Sequence, residues 1–188
     1  MTGTRTALLD AAERSARQRG FDGFSFADMA AEVGIRKASI HHHFPSKANL
    51  ATALIARYHD EFEAICNDID RLHGTGGERL AVMISIYRDA LDEGRSLCLC
   101  VALSISRESL PEDLPHALAS FRAMMSGWLA KTFAMGARDG SISDVADPEG
   151  EGKATLALME GAHLAARATQ DLAQFDIALT VLQGRLTA

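Results

Sequence analysis

The sequence lacks any long apolar run and holds few cysteines. No uninterrupted apolar stretch among the 188 residues approaches the roughly 18 residues that a membrane-spanning helix requires. The segment MTGTRTALLDAAERS is amphipathic and does not resemble a signal peptide. Cys66, Cys98 and Cys100 are an odd number of cysteines, which argues against a structural disulfide framework. We therefore expect a cytoplasmic protein with no membrane partner.

Motifs for catalysis and for cofactor binding are also missing. The chain has no glycine-rich phosphate loop, no zinc-binding motif and no nucleophile elbow. Serine, histidine and aspartate residues are scattered without a catalytic spacing. We therefore predict no catalytic residues, no bound metal and no cofactor. The apolar content of 47% is ordinary for a globular protein, and the length accommodates a small domain and a larger one.

The charge is unevenly distributed along the chain. The net charge is −6, but residues 1–50 contain seven lysines or arginines and five aspartates or glutamates, a balance of +2. Taking +2 from −6 leaves −8 for the other 138 residues. A mildly basic N-terminal region attached to an acidic remainder is compatible with DNA binding through the N-terminal region alone.

Residues 24–50, FSFADMAAEVGIRKASIHHHFPSKANL, have the pattern of two short helices joined by a tight turn. Ser25 is a good N-cap and Asp28 completes a capping box, so the first helix should begin near residue 26. Gly34 supplies the left-handed backbone that ends it. The second helix is predicted over about residues 36–43, followed by a stop at Pro45 and a new N-cap at Ser46.

The spacing of Ala30, Gly34 and Ile40 is the spacing that a helix-turn-helix requires. A small residue lets the two helices cross closely, glycine makes the turn, and isoleucine anchors the second helix against the first. The second helix is then exposed and can enter a major groove. Helical hairpins with a glycine turn also occur in many all-helical proteins that do not bind DNA.

The end of this segment, HHHFPSKANL, resembles the Y-x-H-F-x-S-K-x-x-L signature of the TetR family of transcriptional regulators. The resemblance covers residues 5–50 and implies a three-helix DNA-binding domain over residues 1–50. Matching the motif position by position implies DNA contacts at Phe26, Arg36, Lys37, Ala38, Ser39, His41, His42 and Lys47. His41 stands where the family usually has tyrosine, so an imidazole whose charge depends on pH replaces a phenol.

Helical periodicity continues through the rest of the chain. Helices are predicted over about residues 4–19, 46–72, 78–93, 97–105, 114–138, 153–169 and 172–186, in addition to the two of the helix-turn-helix. The segment DGSISDVADPEGEG has the composition of a loop. The fold class is therefore all-α with about nine helices, and residues 51–188 form a larger helical domain.

The resemblance implies that residues 51–188 bind a ligand and dimerise. In TetR-like proteins the last two helices pair with their copies, so we expect a homodimer that reads a palindromic double-stranded operator. The expected effector is a small molecule. Candidate pocket residues are Phe62, Met83, Tyr87, Cys98, Leu103, Met125, Trp128 and His163, although residues of each of these kinds more often pack in a core than contact a ligand.

Cysteine and histidine clusters suggest two further chemistries. Cys98-Leu99-Cys100-Val101 resembles a Cys-Leu-x-Val sequence found in TetR-like regulators that sense electrophiles or oxidants. The alternative, which we favour, is that Cys98 and Cys100 are small buried hydrophobic residues. The three consecutive histidines point about 100° apart on a helix, so they do not chelate one metal ion together.

The sequence therefore predicts a DNA-binding transcriptional regulator, a repressor released from its operator by a small molecule or by thiol modification. Two other classes stay open at this point. One is an enzyme built in a helical bundle, which would carry a metal or cofactor. The other is an interaction module that has kept the fold without binding DNA.

Overall fold

The computed structural model describes residues 3–105 and 110–187 of the chain, and these residues form an all-α fold. Nine α-helices lie in the described part: α1 (Thr4–Arg19), α2 (Phe26–Val33), α3 (Lys37–His43), α4 (Lys47–Leu72), α5 (Gly76–Asp89), α6 (Leu99–Ile105), α7 (Leu114–Asp139), α8 (Pro148–Thr169) and α9 (Ala173–Gln183). A 3-10 turn, Phe21–Gly23, precedes α2. The predicted fold class is confirmed. Within the described residues the β structure is a single bridge between Ile142 and Leu186.

The chain divides into two compact units, which we call the head and the body. The head consists of Met1–Asp60 and Leu99–Ala119, and the body consists of Glu61–Cys98 and Ser120–Ala188. Helix α4 continues through residue 50 without a break. Helix α6 belongs to the head, where it packs against α1. A functional boundary at residue 50 stays a prediction.

The head is held together by an apolar core and by charged pairs between its helices. Ile40 of α3 and Leu8 of α1 are fully buried. Arg57 of α4 donates to Asp10 Oδ1 at 2.6 Å and to Glu13 Oε2 at 2.7 Å, both on α1. These partly buried pairs link α1 to α4 and restrict the rotation of one helix against the other.

Helix α5 begins and ends earlier than the sequence indicated. It was predicted to begin at Glu78 after a glycine-rich break, but Thr75 caps it through a capping box with Glu78. Gly76 therefore lies in the first helical turn, where a Cβ would stand 2.3 Å from the backbone nitrogen of Gly136. Glycine is present because α5 and α7 approach closely, and the helix ends at Asp89 instead of continuing to Glu93.

Helices α8 and α9 also differ from the prediction at their ends. The loop assignment of the residues just before Lys153 was wrong, because α8 begins at Pro148. Proline is favoured in a first helical turn, where its missing amide costs no hydrogen bond, and Glu149 and Glu151 suit the positive end of the helix. Helix α9 ends at Gln183. No helix in the described residues is both long enough and apolar enough to cross a bilayer.

Candidate nucleic-acid interface and the body core

The α2–α3 segment has the geometry of a helix-turn-helix. The Ser25 amide donates to Asp28 Oδ2 at 2.7 Å, and the Asp28 amide donates to Ser25 Oγ at 3.3 Å, so the predicted capping box is confirmed. Hydrogen bonds from the Ser25 hydroxyl and amide hold the pKa of Asp28 below its usual value. Gly34 has φ +75° and ψ 32°, the left-handed conformation that turns the chain into α3.

Helix α3 is anchored by one buried residue and presents polar side chains to solvent. Ile40 is its buried anchor. Exposed around it are Arg36, Lys37, Ala38, His41 and His42, and Ser39 is half-buried. The structure thus brings six of the eight predicted DNA-contacting residues onto one short helix and its N-cap. Their contact with DNA stays a prediction.

Phe26 and His41 lie against each other. The ring of Phe26 is buried, and its centroid is 5.2 Å from that of His41 with an interplanar angle of 66°. His41 Nδ1 lies 3.2 Å from the carbonyl oxygen of Pro45, so the tautomer that donates from Nδ1 makes this bond. Phe26 and Pro45 therefore orient the imidazole that stands in place of the usual tyrosine.

Lys47 lies at the start of α4 and reaches back to the 3-10 turn. Its Nζ donates to the carbonyl oxygens of Phe21 at 2.5 Å and Phe24 at 2.6 Å, and it also lies 4.5 Å and 4.3 Å from the centroids of their rings. Burial lowers the pKa of the Lys47 ammonium. Ser46 Oγ accepts from the Asn49 amide at 3.1 Å, as expected of an N-cap. Lys47 therefore braces the head internally, and its contact with DNA stays a prediction.

The centre of the body is filled by a chain of aromatic rings in edge-to-face contact. Phe62 lies 5.5 Å from Phe121 and 6.1 Å from Tyr87, measured between ring centroids. Tyr87 in turn lies 5.5 Å from His163, which lies 5.6 Å from Phe175. Three of the eight predicted pocket residues therefore meet in a packed core.

His163 connects this core to the backbone of Cys98. The Cys98 amide donates to His163 Nδ1 at 3.0 Å, and His163 Nε2 lies 2.8 Å from the carbonyl oxygen of Tyr87. Cys98 and Cys100 are both buried, as the packing interpretation of these cysteines requires. Leu103 lies on α6 in the head and so is not grouped with the other predicted pocket residues of the body.

Met125 and Trp128, two of the other predicted pocket residues, lie beside Cys66, which sequence reasoning did not single out. Met83 and Met125 are fully buried, and Met125 Sδ lies 4.0 Å from Cys66 Sγ. Trp128 Nε1 donates to Asp70 Oδ1 at 3.2 Å. Burial, followed by the nearby Asp70 and Glu63 carboxylates, raises the pKa of the Cys66 thiol to about 12.

A cavity of about 350 Å³ lies beside Trp128 and Cys66, between α4 and α7. Its charged lining consists of Glu63, Asp70 and Lys131. No group of three potential metal ligands occurs among the described residues, which include all three consecutive histidines.

Helices α8 and α9 expose apolar side chains. Leu164 of α8 is 44% exposed, and Ile177 and Val181 of α9 are 63% and 61% exposed. Gly161 and Ala165 are also exposed on α8, so this face has few bulky groups to prevent a close approach. Exposed apolar side chains on neighbouring helices are typical of an interface between subunits.

Comparison with known proteins finds relatives over most of the chain. The profile described as "Bacterial regulatory proteins, tetR family" matches residues 8–54. The HTH-type transcriptional repressor NemR of Escherichia coli K12 is 24% identical over 181 residues, which cover 94% of this chain and 90% of NemR.

Solved structures share the whole fold. A TetR-family transcriptional regulator from Agrobacterium tumefaciens is 29% identical with a TM-score of 0.91, and the match covers 98% of both chains. The reduced form of E. coli NemR superimposes with a TM-score of 0.82 at 23% identity, over 98% of this chain and 97% of that chain. The second likeness concerns the fold alone.

Proposed function

The chain belongs to the TetR family of bacterial transcriptional regulators, and from this premise we propose that it is a repressor that binds a palindromic operator as a homodimer. The observation that supports this proposal most is the exposed surface of α3. Arg36 and Lys37 extend from a helix whose position is fixed by Gly34 and by buried Ile40. Guanidinium and ammonium groups at the start of such a helix can donate to guanine or to phosphate.

The short length of α3 is the first reason to propose a dimer. Helix α3 has 7 residues and offers few base contacts, so one copy does not supply the affinity of a specific regulator. Two copies related by a two-fold axis can occupy successive major grooves. The apolar face formed by Leu164, Ile177 and Val181 supports self-association through α8 and α9. Such a regulator acts on chromosomal DNA in the cytoplasm.

Release from the operator requires a ligand that binds the DNA-bound and the released states of the dimer with different affinity, or a modification that stabilises one of these states over the other. We propose that a small molecule in the body, or modification of a body thiol, supplies this difference. NemR is named a repressor, and one of its structures is described as a reduced form, which makes thiol chemistry a reasonable test here. Cys98 is buried, so a reagent reaches it only when the body opens.

The test is selection of a duplex from a random double-stranded library with the purified full-length chain, followed by binding to that duplex. We expect two inverted half-sites about one helical turn apart. Lys37→Ala should weaken binding about tenfold or more. Lys131→Ala removes the same charge from the body, where Lys131 is also exposed, and should leave affinity unchanged. Equal effects of the two substitutions, or enrichment of no symmetric sequence, would argue against the proposal.

A further inference from the structure

His163 is a titratable residue at the centre of the body, with no exposed surface. It lies on α8 and is the one residue of the aromatic chain whose ring can both donate and accept hydrogen bonds within the ring plane. Tyr87 and Phe175 approach it edge to face on either side. These contacts fix the plane of the imidazole.

Both ring nitrogens are used by backbone groups. The Cys98 N–H can only donate, so His163 Nδ1 accepts over 3.0 Å and carries no proton. The Tyr87 carbonyl can only accept, so Nε2–H donates to it over 2.8 Å. The two bonds together require the neutral imidazole with its proton on Nε2.

The two backbone groups lie at the ends of the segment that leads from α5 to α6. Tyr87 is in the last turn of α5, and Cys98 immediately precedes Leu99, the first residue of α6. The peptide bond between Cys98 and Leu99 is also where the chain passes from the body to the head. Within the head, α6 packs against α1. His163 therefore holds the last body residue before a helix of the DNA-binding unit.

We propose that His163 is a positioning residue that couples the body to the head by fixing the start of α6 through the Cys98 amide. This inference rests on the proposed function, because the coupling matters for a regulator whose body controls its head. Displacement of α8, or of the imidazole, would remove the acceptor from the Cys98 N–H. Loss of this hydrogen bond would then release the first turn of α6, although no ligand touches the head.

Two substitutions separate the two hydrogen bonds. In His163→Asn the amide oxygen occupies the place of Nδ1 and can still accept from Cys98, whereas the bond to Tyr87 is lost. In His163→Gln the amide nitrogen occupies the place of Nε2 and can still donate to Tyr87, whereas the bond from Cys98 is lost. Both variants disturb the same core, so a purely structural role predicts similar behaviour of the two.

The measurement is amide hydrogen exchange of α6 in the full-length protein, together with affinity for the selected duplex. We expect His163→Gln to speed exchange in α6 about tenfold or more and to weaken duplex binding, while His163→Asn stays near wild type in both. Equal α6 exchange and equal affinity in the two variants would refute the coupling. Failure of the wild type to bind any duplex would instead refute the proposed function. The difference in α6 exchange between the two variants would still test whether the hydrogen bond from Cys98 to His163 fixes the start of α6.

A second variant addresses the case in which His163→Gln does not fold. An ester at position 98, introduced as the α-hydroxy analogue of alanine, deletes the N–H and leaves His163 intact. Cys98→Ala with a normal amide is its matched control. Faster α6 exchange in the ester than in the amide supports the proposal, and identical exchange contradicts it.

Discussion

Replacing Lys47 by methionine distinguishes an internal brace from a DNA contact. The resemblance to the TetR signature predicts a DNA contact at Lys47, but its ammonium donates to two carbonyls and lies over two phenylalanine rings within the head. Methionine keeps an unbranched apolar side chain and removes the charge. The substitution therefore tests the ammonium group alone.

The expected cost follows from those four contacts. Hydrogen bonds from a partly exposed ammonium contribute roughly 0.5–1.5 kcal/mol each, and cation–π contacts at exposed sites roughly 0.5–1 kcal/mol each. Because Lys47 is half-buried and solvent screens the charge, we expect a loss of about 2 kcal/mol in the free energy of unfolding.

The assay is urea unfolding at fixed protein concentration, since a dimer gains stability by mass action. Lys37→Met is the matched control: Lys37 is exposed on α3, and its replacement should leave stability within about 0.5 kcal/mol of wild type. An unchanged unfolding free energy in Lys47→Met, together with weaker DNA binding, would refute the brace and favour a phosphate contact.

Four further predictions concern the turn, the thiols and the capping box. Gly34→Ala should lose about 1–2 kcal/mol in urea unfolding because φ is +75°, whereas Gly34→Asn should lose less, since asparagine tolerates this conformation; equal losses would contradict the argument. With its pKa near 12, Cys66 is about one part in ten thousand thiolate at pH 8, so peptide mapping after N-ethylmaleimide should find Cys66 unlabelled in the native protein. If thiol modification controls release, Cys98→Ser should abolish release of the selected duplex by that reagent and Cys66→Ser should not; the opposite pattern would assign control to Cys66. The folded pKa of Asp28 lies below its usual 3.8, so the stability it contributes is present above pH 3.8 and is lost as pH falls through the folded pKa. In Asp28→Asn the free energy of unfolding should therefore fall less steeply with decreasing pH at acid pH than in wild type. An unchanged pH dependence would contradict this.

The helix-turn-helix could be predicted because its determinants are local. Ser25 and Asp28 are three residues apart, and Gly34 ends the helix that they begin. Ile40 falls at the spacing that anchors α3. Each of these residues acts on backbone within one or two turns of itself, so the local sequence pattern is enough to predict the helix-turn-helix.

The parts that sequence reasoning missed depend on residues far apart in the chain. Gly76 appeared to be part of a break because its cause, the backbone of Gly136, lies sixty residues away. His163 was named as a pocket residue, but its partners, Cys98 and Tyr87, lie 65 and 76 residues away and bond through their backbones. Because the partner groups belong to the backbone, no pattern of side chains in the sequence predicts such a contact.

The most direct test of the central claim is the salt dependence of binding to the selected duplex. If α3 of each subunit contacts DNA, the logarithm of the binding constant should fall linearly with the logarithm of salt concentration, with a slope on the order of −5 to −10. If Lys37 binds phosphate, Lys37→Ala should reduce the magnitude of that slope by about two, one for each subunit. Binding that does not depend on salt, or an affinity and slope that Lys37→Ala leaves unchanged, would contradict the assignment of α3 as the DNA-reading helix.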